Sequence, residues 1–140
     1  MFKILGVIII ILALIVMLVP QFTNCSAEGR TLILQNGKTV PMKCTWSARA
    51  ELALGIPLLA LGVLMLLSRR KETVRYLSVL GVILGVLVIL IPTSIIGVCA
   101  GVDMDCHAIL KPTMIVSGIL IILVSLAALV LNERKADSAV

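Results

Sequence analysis

The four cysteines are the residues of this sequence that can take part in the most kinds of chemistry. Each half of the chain has one cysteine alone and a second in a Met-x-Cys segment, namely Cys25 with Met42-Lys43-Cys44 and Cys99 with Met104-Asp105-Cys106. A thiolate can exchange with a disulfide, and thiolate, thioether and imidazole groups bind soft metal ions. Three kinds of chemistry are therefore open: structural disulfides, thiol redox catalysis and metal binding.

We expect the cysteines to form two structural disulfides. All of them fall in loops that we place outside the cytoplasm, where thiols are oxidised and pair. Four cysteines allow three pairings, and the internal repeat described below favours Cys25 with Cys44 and Cys99 with Cys106. Under a chain-entropy model, a bridge across the first loop would contribute about 3 kcal/mol to stability.

Quinone-linked thiol-disulfide oxidoreduction is the first alternative. Four spans with one cysteine pair in each outer loop are similar to the plan of the bacterial membrane oxidoreductase that reoxidises the periplasmic disulfide-forming enzyme. That family also has an arginine shortly after a first-loop cysteine, as Arg49 follows Cys44 here. Its Cys-x-x-Cys pair, which vitamin K epoxide reductases share, is absent from this sequence.

Binding of a soft metal such as copper is the second alternative. Met42, Met104 and His107 offer thioether and imidazole ligands close to the cysteines. Oxidised cysteines cannot act as thiolate ligands, however, and methionine near a membrane interface usually packs among apolar groups. We therefore expect no resident metal and no other cofactor.

Polar side chains also gather near the second cysteine of each loop. They are Trp46, Arg49 and Glu51 in the first half and His107 and Lys111 in the second. Glu51 is expected in the first turn of a helix, where a carboxylate complements the helix dipole. The five side chains could form one polar cluster at the outer ends of the helices, either to dock the two halves together or to bind a ligand. We expect docking and identify no catalytic residue.

The composition places these residues in a membrane protein. Of the 140 residues, 61% are hydrophobic and only 14% are charged, and the mean hydropathy is +1.22. A soluble domain averages roughly 45–50% apolar residues, so this chain has too little polar surface for water, and it is too apolar to be disordered. The net charge of +5 comes from basic residues beside helix ends, without interleaved aromatics, so we expect the bilayer and not nucleic acid as a partner.

Four continuous apolar runs are long enough to cross a bilayer as helices. We expect an all-α membrane protein, a single domain over residues 1–140 with spans at about 4–20, 48–67, 76–92 and 112–131. Pro92 is expected to kink the third helix or to begin an extended segment. None of the four predicted spans has an interior charged residue, so a self-sufficient transporter with its own proton relay is not expected.

The first outer loop has the pattern of a small β-hairpin. Asn36-Gly37 lies between two short apolar runs and is typical of a type I′ turn. Trp46, which follows the hairpin, is expected to anchor the chain at the level of the lipid headgroups.

Basic residues indicate the orientation of the chain. They are dense in the short loop that holds Arg69, Arg70, Lys71 and Arg75, and the two terminal segments add Lys3, Arg134 and Lys135. By the positive-inside rule, both termini lie in the cytoplasm and the cysteine loops lie outside the plasma membrane. The first apolar run also resembles a signal peptide with a cleavage site near Cys25 and Ala27, but we expect the run to be retained as a span.

An internal repeat supports the retention of the first apolar run as a span. Ile4-Leu5-Gly6-Val7 matches Val79-Leu80-Gly81-Val82, and the two Met-x-Cys segments are followed at the same offset by a basic residue. We interpret the chain as two tandem helical hairpins, at about 1–68 and about 76–133. The glycines in these spans, such as Gly55 with Gly62 and Gly81 with Gly85, allow close helix packing, either inside the bundle or against another protein.

Two segments resemble a family of uncharacterised four-span membrane proteins of bacteria and archaea known only as a domain of unknown function. They are residues 42–51 with Gly55, and residues 104–107 with Lys111, Pro112 and Gly118. Members often have histidine after the first Met-x-Cys cysteine, where this chain has Thr45. The resemblance implies a class and no activity. We expect a non-enzymatic accessory or interaction subunit of a larger, transporter-type membrane assembly, in contact with other membrane subunits or with itself.

Overall fold

The computed structural model describes residues 2–23, 29, 32–68, 70–98 and 106–137. Its α-helices are α1 (Phe2–Phe22), α2 (Lys43–Leu67), α3 (Lys71–Leu90) and α4 (Lys111–Asp137). A first π-helical segment, Ile91–Ile95, continues α3, and a second, Cys106–Leu110, leads into α4. Two short strands, β1 (Leu32–Ile33) and β2 (Thr39–Val40), lie between α1 and α2.

The prediction of an all-α membrane protein with four spans is confirmed. Four helices are long and apolar enough to cross a bilayer: Lys3–Phe22, Lys43–Leu67, Lys71–Ile95 and His107–Arg134. Large apolar side chains such as Ile11, Leu64, Ile83 and Leu123 are exposed along them. Such a surface needs lipid around it, so the chain is built as a multi-pass integral membrane protein.

The four helices pack as a ring in which each helix contacts two neighbours. The larger interfaces join α1 to α2 and α3 to α4, while α1 with α4 and α2 with α3 close the ring. This is the predicted pair of tandem hairpins. The buried core between them contains side chains from every helix, among them Val16, Leu58, Val88 and Met114.

Glycines explain the close packing within each hairpin. A Cβ on Gly62 of α2 would lie 3.1 Å from the carbonyl oxygen of Gly6 of α1, and one on Gly118 of α4 would lie 2.9 Å from that of Gly85 of α3. A Cβ on Gly55 would collide with Met17. The sequence left open whether these glycines pack inside the bundle or against another protein, and in the structure they pack inside the bundle. The internal repeat itself stays a prediction.

The third span ends in a π-helical turn that contains Pro92, and not in the expected extended segment. Pro92 has no N–H to donate, and the Ile91 carbonyl accepts hydrogen bonds from the N–H groups of Ile96 at 3.0 Å and Gly97 at 3.1 Å. Gly97 has a φ of +77°, which glycine adopts without strain. The first span likewise runs past its proline, since α1 continues through Pro20 to Phe22.

The predicted β-hairpin is present, but its turn is not type I′. Leu32 pairs with Val40 and Ile33 with Thr39 in an antiparallel register. The Gly37 N–H donates to the Leu34 carbonyl at 2.9 Å, and Gly37 has a φ of +72°. A type I′ turn needs a positive φ at Asn36 as well, and no described residue other than glycine has one. The loop is instead a longer turn in which glycine alone is left-handed.

Candidate functional site

The described residues that were predicted to carry chemistry lie at one end of the bundle, where α1 and α3 end and α2 and α4 begin. We call it the hairpin end, because the β-hairpin projects from it. Cys25, Cys99 and Met104 lie outside the described residues, and for Cys106 only the backbone is described. Cys44 is fully buried in the first turn of α2 and belongs to the core. The two predicted disulfide pairings therefore stay predictions.

Helix α2 begins at Lys43, five residues before the expected start of the second span. Cys44, Trp46, Arg49 and Glu51 are thus all on one helix, in which successive side chains are separated by about 100°. Trp46 and Arg49 are exposed, whereas Cys44 and Glu51 are buried. The early start of the helix therefore divides the first half of the predicted polar cluster between two faces.

The exposed pair is joined by a cation–π contact. The guanidinium carbon of Arg49 lies 5.4 Å from the centre of the Trp46 ring, and Trp46 is 53% exposed. A ring that is apolar on its face and polar at its N–H is suited to the headgroup level of a bilayer. Arg49 is thereby held on the outside of α2.

Glu51 is not in the first turn of its helix, so the expectation of a dipole-complementing cap is wrong. The first turn of α2 contains no acidic residue, and Glu51 is more than two turns further along, with 0% of its surface exposed. Neither carboxyl oxygen has a hydrogen-bond partner among the described residues. Burying an unpaired charge in a protein interior is costly, which makes Glu51 the most unusual residue of this end.

Two hydrogen bonds tie α2 to its neighbours one turn from Glu51. The Ser47 hydroxyl donates to the carbonyl oxygen of Gly97 at 2.7 Å, and the side-chain amide of Gln21 donates to that of Ala48 at 3.2 Å. The first bond connects α2 to the chain beyond the first π segment, and the second connects it to the end of α1. These two hydrogen bonds hold α2 against the end of α1 and against Gly97, between Glu51 and the start of α2.

His107 and Lys111 are placed on the other hairpin of the bundle, in the second π segment and at the start of α4. Both are half-buried. No hydrogen bond joins either to Glu51, whose two oxygens are without partners in the described part of the chain. The structure therefore brings Trp46 together with Arg49 and leaves Glu51, His107 and Lys111 unconnected to that pair.

The described residues contain no group of three or more His, Cys, Asp or Glu side chains suited to a metal ion. Of the candidate soft ligands, Met42 is half-buried beside the core at the start of α2, and His107 is half-buried on the second π segment. Cys25, Cys99 and Met104, the other candidate ligands, lie outside the described residues, so the copper alternative stays a prediction.

Sequence reasoning missed polar contacts at the opposite end of the bundle. The side-chain amide of Asn132 on α4 donates to the carbonyl oxygen of Lys71, the first residue of α3, at 2.8 Å. Next to it, Arg75 and Glu133 form an ion pair at 4.0 Å with both side chains more than half exposed. In the sequence, the polar residue Asn132 directly after the last apolar run was the signal that could have indicated these contacts.

An open groove of about 380 Å³ lies between α1 and α4. Leu12 and Ile15 line it from α1, and Pro112, Val116 and Leu120 line it from α4. Its walls are mainly apolar, as expected where two transmembrane helices separate toward lipid.

No curated protein and no solved structure matches this chain. One family does, over residues 4–131, and its description is a domain of unknown function. That range includes all of the helices apart from their outermost residues. The chain therefore belongs to the DUF4418 family, and the predicted resemblance to a family of unknown function is confirmed.

Proposed function

We propose that this protein is a non-enzymatic accessory or interaction subunit of a larger membrane assembly of the transporter type. Its binding surface would be the pair of extracytoplasmic loops, each tied by a disulfide, Cys25 to Cys44 and Cys99 to Cys106. The observation that carries this proposal is the exposure of apolar side chains on the β-hairpin, outside the spans.

Three aliphatic side chains of the hairpin are exposed: Ile33 by 76%, Leu34 by 48% and Val40 by 40%. Lipid accounts for the apolar side chains that are exposed along the spans. These three residues precede α2 in the chain and lie outside its span. Ile33 pairs with Thr39 and Val40 with Leu32, so Ile33 and Val40 lie on opposite faces of the hairpin. Exposed apolar side chains outside a membrane are surface that a binding partner would cover. The hairpin therefore supports a protein partner more directly than the span glycines, which are used inside the bundle.

The burial of Cys44 supports a structural disulfide over a redox-active one. A two-residue strand pair is marginal in water on its own, and a bridge from Cys25 to Cys44 would fix the hairpin to the first turn of α2. Reactive thiols are typically partly exposed beside positive groups, whereas buried ones are inert. The full burial of Cys44 thus favours a structural disulfide over a thiol that exchanges with other disulfides.

The proposed orientation has both termini in the cytoplasm and the hairpin end outside the plasma membrane. It is supported by Arg70, Lys71 and Arg75, which are exposed at the opposite end of the bundle. Basic side chains near a membrane are retained on the cytoplasmic side.

The decisive experiment is affinity purification from the native membrane in mild detergent, comparing wild type with Ile33→Ser. A partner should be recovered in stoichiometric amount with the wild type and lost several-fold with Ile33→Ser. Lys38→Ser, on the same hairpin, is the matched control and should retain the partner. Recovery of the wild type alone, or equal recovery with both variants, would contradict the proposal.

The pairing and reduction potentials of the cysteines distinguish this proposal from the quinone-linked oxidoreductase alternative. Mass-spectrometric mapping should find both predicted disulfides, and their reduction potentials should lie below about −300 mV, as for structural bridges. A pair that exchanges readily with a dithiol near the potential of glutathione and transfers electrons to quinone would favour the oxidoreductase. Reduced cysteines that bind Cu(I) would favour the copper alternative.

A further inference from the structure

Glu51 is a fully buried carboxyl in the interior of a membrane bundle. It has 0% exposure, and both of its oxygens are buried without a hydrogen-bond partner among the described residues. Acidic residues within spans are rare and usually belong to ion or proton sites. Because helix α2 begins earlier than the sequence indicates, this residue is inside the bundle and not at its rim.

No basic side chain of the neighbouring elements is bonded to the Glu51 carboxyl. Helix α1 carries Lys3 as its only charged residue, at the far end, and the chain from Leu77 to Val98 carries none. The titratable groups described at the hairpin end are His107 on the second π segment and Lys111 on α4, both half-buried. On α2 they are the exposed Lys43 and Arg49 and the buried Cys44. No described residue would thus compensate a bare carboxylate at this position.

The end of the third span makes the surroundings more favourable to a cation. The Ser47 bond to the Gly97 carbonyl places the C-terminal end of this span against α2, one turn from Glu51. A helix C-terminus carries partial negative charge on its unpaired carbonyls. Glu51 is too far from the start of α2 to be compensated by its own helix dipole, since that effect falls off within the first turn. In membrane transporters, carbonyl oxygens at helix C-terminal ends take part in binding Na⁺ and H⁺.

We propose that Glu51 binds a small monovalent cation, a proton or a sodium ion, at the hairpin end of the bundle. A small cation can neutralise the carboxyl without opening the bundle, whereas a lysine or arginine of a partner protein cannot reach a side chain with no exposed surface. A proton needs one carboxyl oxygen, and a sodium ion would use carboxyl oxygens together with hydroxyl or carbonyl oxygens nearby. The site is independent of the role of the loops.

Infrared difference spectroscopy on the protein in lipid vesicles tests this directly. Glu28, Glu72 and Glu133 are the other glutamates. Their joint replacement by glutamine leaves Glu51 as the only residue that ¹³C-glutamate can label as a carboxyl. We expect a protonated-carboxyl band whose intensity changes with pH, or a carboxylate band that shifts with NaCl and not with choline chloride. The first result identifies a proton and the second a sodium ion.

A labelled carboxylate band that responds to neither pH nor NaCl would overturn the proposal. Glu51→Gln provides a second readout, because the melting temperature of the wild type should change with pH or NaCl while that of Glu51→Gln stays constant. Glu72→Gln, at the exposed start of α3, is the matched control and should behave as the wild type. Equal responses of Glu51→Gln and wild type would also count against a cation at Glu51.

Discussion

The Ser47 hydroxyl donates a hydrogen bond of 2.7 Å to the carbonyl oxygen of Gly97. It connects the first hairpin of helices to the second, at the point where the third span leaves its π-helical turn. Gly97 can present this carbonyl because its φ of +77° turns the chain where other residues would be strained. A serine and a glycine fifty positions apart therefore join the two hairpins one turn from Glu51.

Ser47→Ala should weaken this connection. The loss of one hydrogen bond in a buried setting is expected to lower the free energy of unfolding by about 1 kcal/mol, measured by thermal denaturation in detergent. Thr113→Ala is the matched control, since its exposed hydroxyl bonds to a carbonyl of the preceding turn, that of Ile109. Equal losses for the two variants would show that the Ser47 bond does not hold the hairpins together.

The number and nature of the spans could be read from the sequence because both follow from long apolar runs. The boundary of α2 could not, because Lys43, Arg49 and Glu51 interrupt the apolar pattern near its start. A helix in a bundle continues wherever its inner face finds contacts, and Cys44, Ser47 and Ala48 provide that face. Tertiary packing therefore lengthened the helix by more than a turn.

The candidate site was only half predictable for the same reason. Trp46 and Arg49 lie three positions apart, so any helical start there brings them together. The burial of Glu51 depends on the elements that pack against α2 from other parts of the chain, among them α1 and the first π segment. The π-helical turn was equally hidden, because a proline near a helix end is compatible with a kink, a stop or a widened turn.

Gly118→Val should loosen the second hairpin. A Cβ at this position would already lie 2.9 Å from the Gly85 carbonyl oxygen and close to Ile89, so a larger side chain must separate α3 from α4. We expect a loss of about 1–3 kcal/mol, the usual cost of overpacking. Ala127→Val, on the exposed side of α4, adds comparable bulk toward lipid and should have little effect. A stable Gly118→Val variant would disprove the need for close backbone contact.

Asn132→Ala and Glu133→Gln should differ although the residues are neighbours. Asn132 is 5% exposed and its side-chain amide donates to the Lys71 carbonyl oxygen of α3, so its loss should cost about 1–1.5 kcal/mol, the upper part of the usual net contribution of one hydrogen bond. The Arg75–Glu133 pair is long, at 4.0 Å, and exposed, and such pairs contribute about 0–1 kcal/mol. Thermal denaturation of both variants at low and high salt checks the order. A larger loss for Glu133→Gln would reverse our interpretation.

Arg49→Ala should change the fluorescence of the protein more than its stability. Trp46 is the only tryptophan, so the emission spectrum reports on its ring alone. Removing the cation–π contact is expected to cost about 0.5–1 kcal/mol and to shift the emission of the freed ring. Lys43→Ala, at the exposed start of α2, is the control and should leave the emission unchanged. Identical spectra for wild type and Arg49→Ala in lipid vesicles would show that the contact is not maintained there.

The orientation of the bundle can be tested with fused reporters. If basic residues retain their end of the bundle in the cytoplasm, a green fluorescent protein fused after Val140 should fluoresce. Alkaline phosphatase, which is active only outside the cytoplasm, should be active when inserted after Gly37 in the hairpin turn. Replacing Arg69, Arg70, Lys71 and Arg75 together by glutamine should lower the activity of the hairpin fusion, because it removes most of the charge asymmetry. Active phosphatase at the C-terminus of the unaltered chain would place the cysteine loops in the cytoplasm, where thiols stay reduced, and would remove the basis for both predicted disulfides.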